Sequence, residues 1–84
     1  MNKVYKVEKR TIEAMCDKYV DIYMVCEKIE NEHDDDFEEL EKDAGYQYWY
    51  GVKTGIKECL ESLGVSVDCN YINDRIETRR NEQE

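Results

Sequence analysis

Four cysteines, one histidine and a run of carboxylates are the residues in this chain with chemistry to offer. Cys16, Cys26, Cys59 and Cys69 lie 10, 33 and 10 residues apart. A zinc site needs close pairs such as C-x2-C, so that two thiolates converge on one ion. Ten residues along a helix hold Cys16 and Cys26 about 15 Å apart, beyond one tetrahedral centre or a disulfide. Both also fall in an apolar stripe, where a free cysteine behaves as a small hydrophobe. His33 precedes Asp34, Asp35 and Asp36, an arrangement that invites a divalent cation. Adjacent residues around a turn do not readily surround one ion, and the sequence has no D-x-D-x-D-G loop with a closing glutamate. A solvated helix cap is the simpler reading. There is no nucleophile with an evident histidine and acid partner, and no glycine-rich phosphate loop. The chain therefore reads as a non-enzyme, with no catalytic, cofactor or metal residues expected.

The carboxylates matter more through their placement. The net charge is −9, and residues 27–43 hold ten acids against Lys28 and Lys42, while the flanking segments are near balance. Such a field repels nucleic acid and anionic lipid and attracts basic surfaces. Acids three or four apart on a helix lie about 5–6 Å from one another. Asp35, Glu38 and Glu39 thus approach the spacing of successive phosphates. Asp34, Asp35, Asp36, Glu38, Glu39 and Glu41 are expected either to compete with nucleic acid for a basic groove or to form a solvated bend that keeps a helical protein soluble.

The elements that must carry these residues are helical. At 84 residues the chain is a single domain, 40% hydrophobic and 39% charged, with no proline. That composition supports a core and favours helix over strand-and-turn. Ile12, Met15, Tyr19, Ile22, Cys26 and Ile29 recur at alternating steps of three and four, predicting an amphipathic helix over 11–32 with Thr11 as N-cap. Asp34 or Asp35 caps a second helix over 35–63, whose apolar face holds Phe37, Leu40, Ala44, Tyr48, Val52, Cys59 and Leu63, with Trp49, Ile56 and Leu60 at its edge. Gly45, Gly51 and Gly55 weaken that helix and suggest a break near 45, and Gly64 suits its left-handed end. A third helix over 69–80 buries Tyr71, Ile72 and Ile76, and the C-terminal tail beyond frays. Residues 3–7 could form a short strand or a helical extension, and 65–67 is extended by propensity and could pair with it as a strand. The fold class is therefore all-α: a long antiparallel helical hairpin with a shorter third helix. One short lid on two long stripes favours completion by a homodimer. Val20 and Met24 on the first helix, and Tyr46 and Tyr50 on the second, project off the stripes; the two tyrosines are expected as exposed interface anchors beside the acidic turn.

The segment GYQYWYGVKTGIKECLESLGV resembles the aromatic–glycine helices of small proteins from phages and other mobile elements. That resemblance implies an inhibitor of a host nucleic-acid enzyme, in the manner of anti-CRISPR proteins. The expected partner is a basic protein surface, with no direct nucleic-acid binding and no membrane. No apolar run approaches the roughly 20 residues of a membrane span, and the N-terminus lacks a secretory h-region. Cytoplasm is the expected compartment, the host's if the protein is phage-encoded. The competing expectation is a self-associating structural or adaptor protein whose acidic turn confers only solubility.

Overall fold

The computed structural model describes residues 8–82, and every regular element among them is helical. Helix α1 spans Lys9–Glu32, α2 Phe37–Lys42, α3 Ala44–Ser62 and α4 Asn70–Glu82. The all-α expectation holds. Residues 65–67 contain no strand, and the other suggested strand, residues 3–7, lies outside the described residues.

Helix α1 is central, packing on α3 along one flank and on α4 along the other. Its Ile22, Cys26 and Ile29 meet Leu40 of α2 and Tyr46, Trp49 and Val52 of α3. Cys16, Tyr19, Val20 and Met24 meet Leu60 of α3 with Ile72 and Ile76 of α4. Partners on α1 and α3 run in opposite order, from Glu30 with Tyr46 to Cys16 with Leu60. Leu60 and Ile72 are wholly buried, each burial contributing about 1.5–3 kcal/mol. Val20 and Met24 receive their cover from α4 within the same chain. Ile72 and Ile76 are the buried side of α4, as their spacing predicts.

The caps differ from expectation at the N-terminal ends. α1 starts earlier, with Glu8 at the N-cap and no side-chain bond there. Thr11 lies inside the first turn, its amide already bonded to the Glu8 carbonyl. α2 is capped by Asp36, not Asp34 or Asp35, through Oδ1 accepting from the Glu38 and Glu39 amides at 3.0 and 3.4 Å. The second helix is broken at Asp43, which is extended at φ −82°, ψ 104° and both ends α2 and starts α3. Gly45 is helical; a Cβ there would lie 3.2 Å from Asp43 Oδ1, so its bareness gives the cap room.

This break resets the helical phase, and the expected apolar face is wrong beyond it. Tyr48 is 64% exposed and Leu63 40%, and Ala44 and Cys59 are exposed too, whereas Val52 of that face does pack on α1. Ahead of the break Leu40 is buried as expected and Phe37 is 71% exposed. The inward stripe of α3 instead runs Tyr46, Trp49, Lys53, Ile56, Leu60, again at steps of three and four. The predicted edge is the centre. At the other end Gly64 takes φ +81°, with its amide and that of Val65 bonded to the Glu61 and Leu60 carbonyls, the Schellman closure expected there. The tail expected to fray is helical to Glu82. Arg79 bonds Asp21 at 2.5 Å and Arg80 bonds Glu27, which ties that turn to α1.

Candidate functional site

The acidic residues converge on the elbow between α1 and α3. α1 ends in a second Schellman closure, with the Asp34 amide on the Asn31 carbonyl and the Asp35 amide on that of Glu30. Both aspartates are left-handed, at φ 51° and 58°. Such backbone costs a non-glycine residue roughly 1 kcal/mol, less for aspartate than for most. Asp36 then caps α2, and Glu38 and Glu39 fill its first turn, where carboxylates suit the helix dipole. Asp34, Asp35, Asp36, Glu38, Glu39 and Glu41 are all exposed.

His33 does not face the three aspartates beside it. Its Nε2 lies 2.9 Å from Oδ2 of Asp43, ten residues along the chain. Asp43 Oδ1 accepts the Tyr46 amide at 2.9 Å. That amide, and then the imidazole, hold the Asp43 carboxyl below its ordinary value. This clasp ties the α1 terminus to the start of α3 and so fixes the elbow. Sequence reasoning missed it, because the partner lies beyond α2.

The basic residues of the C-terminal half are engaged elsewhere. Arg75 Nε lies 3.8 Å from Asp17, and the Tyr71 hydroxyl donates to the same carboxylate at 3.1 Å. Arg79 and Arg80 bind Asp21 and Glu27, and Arg80 also donates to the Tyr23 hydroxyl at 3.2 Å. Lys57 is near Glu61, and Lys53 lies over the rings of Tyr50 and Tyr23, 4.6 and 5.4 Å from their centroids. Among the described residues no ion pair reaches any of the six elbow carboxylates. The cluster therefore projects its charge into solvent.

Beside it lies an open groove of about 670 Å³, lined by Phe37, Leu40, Glu41, Tyr46, Gln47 and Tyr50. Tyr50 is 46% exposed, as its place off the apolar stripe predicts. Tyr46 is not: it is 9% exposed, because the phase reset turns it onto α1. Its hydroxyl donates to Glu30 at 2.6 Å, and burial together with this carboxylate raises the phenol far above its ordinary value of 10.0. The two rings still meet, tilted at 41° with centroids 5.8 Å apart. Tyr46 is thus the groove's inner wall and Tyr50 its rim. Phe37, assigned to the core from sequence, is the opposite rim.

Cys16 and Cys26 are buried and Cys59 exposed; burial pushes the first two thiols up, away from the reactive thiolate. Among the described residues no group of three or more histidines, cysteines or acids is placed to hold a metal ion. None of the described helices is long and apolar enough to cross a membrane. No protein-family model matches the chain, and no curated protein or solved structure matches it.

Proposed function

We propose that this is a non-enzymatic binding protein, an inhibitor or regulator of the phage and mobile-element kind, that sets its acidic elbow against a basic protein surface and excludes nucleic acid from it. The observation that carries this reading is the segregation of charge. The three α4 arginines are held on Asp17, Asp21 and Glu27, and no described base neutralises Asp34, Asp35, Asp36, Glu38, Glu39 or Glu41. The left-handed aspartates add support, since glycine would sit in that backbone at lower cost. Carboxylates so placed give long-range attraction to Lys/Arg-rich surfaces, and Tyr50 and Phe37 give apolar contact at short range.

The test is affinity capture from the cell that naturally contains the chain, followed by competition with DNA or RNA. A captured protein should elute with competing nucleic acid and with added salt, and Asp34→Asn, Asp35→Asn and Asp36→Asn combined should abolish capture. Capture that survives both the triple change and the competitor would refute the reading. A solution mass at a multiple of 10.1 kDa, unaffected by the triple change, would favour the self-associating adaptor.

A further inference from the structure

We propose that the groove between Phe37 and Tyr50 takes an arginine side chain of the partner protein, so that the elbow reads arginine over lysine. This rests on the docking function proposed above and names the chemistry that the groove recognises. Three features of its lining point to a guanidinium. Its rims are aromatic, Phe37 at 71% and Tyr50 at 46% exposure; Tyr50 already carries Lys53 4.6 Å from its centroid, so Phe37 supplies the open face on which a planar cation stacks. Its polar lining favours acceptors. Glu41 brings a carboxylate with no ion-pair partner among the described residues. Gln47 directs its amide nitrogen to the Leu40 carbonyl at 3.2 Å, which leaves its amide oxygen to accept. The Tyr46 hydroxyl proton is already given to Glu30. A ligand rich in donors is required, and arginine presents five in a fixed fork.

Charge complementarity selects the same occupant. None of the six lining residues is basic, and the adjoining turn and α2 surround the groove with exposed carboxylates. A purely apolar peptide would leave the Glu41 carboxylate and its exposed neighbours without a cation from the partner. Lysine would satisfy the charge, but its compact, strongly hydrated ammonium neither stacks flat on a ring nor pairs in a bidentate way. A cleft of about 670 Å³ is within the ordinary range for ligand sites and accommodates the arginine stem against Leu40 together with a neighbouring residue.

The experiment compares two fluorescent peptides of equal length and charge, one with only arginine and one with only lysine as its basic residue, titrated into the intact protein at low salt. The arginine peptide should bind about tenfold more tightly. Phe37→Ala should erase that preference by weakening the arginine peptide more than the lysine peptide, since net charge is preserved and Phe37 is no part of the core. Glu41→Gln should weaken the arginine peptide more than the lysine one. Circular dichroism confirms that each variant is folded. Equal binding of the two peptides, or a preference that survives Phe37→Ala, overturns the arginine site and leaves acidic docking standing. If neither peptide binds at low salt, the docking function falls and the arginine site falls with it.

Discussion

Tyr46 separates the structure from the helical projection that its sequence suggests, and its removal tests the phase reset at Asp43. An outward ridge tyrosine would be worth little to stability. In the structure the ring is 9% exposed and its hydroxyl donates to Glu30 at 2.6 Å. Hydrogen bonds to charged groups contribute about 1.5–3 kcal/mol. Glu30 is only half-buried, so screening brings the expected cost of Tyr46→Phe down to about 1 kcal/mol. Tyr46→Ala removes the ring as well and should cost about 3 kcal/mol. For a domain of this size, each kcal/mol lowers the melting midpoint by about 4–8 °C, which thermal melts followed by circular dichroism resolve easily. A cycle with Glu30→Ala should return a coupling energy close to the Tyr46→Phe cost. Stability should also respond to alkali. The folded phenol is raised above 10.0, so its contribution is complete below about pH 10 and is lost as pH rises beyond that; Tyr46→Phe should remove this alkaline loss. A Tyr46→Ala protein within about 0.5 kcal/mol of wild type, the behaviour of a surface residue, would refute the reset.

Four other perturbations follow from the same contacts. Gly55→Ala should stabilise by about 1 kcal/mol, since a Cβ there meets nothing within 4 Å, whereas Gly45→Ala should not, because its Cβ would crowd Asp43; urea midpoints check both. The Asp43 carboxyl titrates below 3.8 when folded, so its contribution is present above that pH and lost as pH falls through the folded value. Asp43→Ala should accordingly flatten the acid dependence of the urea midpoint. Arg80→Ala should cost about 0.5 kcal/mol, as its side chain is half exposed, and should speed amide exchange in the last turn of α4. Toward a thiol reagent, Cys59 should react first and Cys69 next, with Cys16 and Cys26 protected until denaturant is added; early labelling of the latter pair would contradict their burial.

How much of this was legible in the sequence depends on how local each cause is. The α1 stripe was readable because one uninterrupted helix keeps its phase, and Gly64 because a positive φ selects glycine strongly. Asp36 with Glu39 three residues later is a capping-box spacing, visible in principle, yet a run of three aspartates concealed which one caps. The error on α3 has a single origin. The sequence marks Gly45 as the weak point, and its helical projection runs the apolar face through Asp43 without interruption. One extended residue breaks the 100° progression, and all later assignments rotate with it. Tyr46 thereby moves into the core, while Phe37, ahead of the break at the first position of α2, is exposed independently of it, and the groove between them is invisible to any projection of a continuous helix. The His33–Asp43 clasp joins residues across α2 and had no local pattern to announce it.

The charge segregation, too, is set by packing and not by the charges. Arg75 and Arg79 stand one turn apart on α4, facing Asp17 and Asp21, one turn apart on α1. Sliding α4 by one turn toward the elbow would carry its arginines about 5.4 Å nearer the unpaired carboxylates. Long-range attraction favours that slide. Against it stand Ile72 and Ile76, seated in one core with Val20, Met24 and Leu60. Lifting either isoleucine from that core would cost about 1.5–3 kcal/mol, whereas exposed ion pairs each return about 1 kcal/mol or less. The hydrophobic register wins. It holds the arginines where α1 already supplies partners, and the elbow keeps its negative field because the core of α4 forbids the move that would neutralise it.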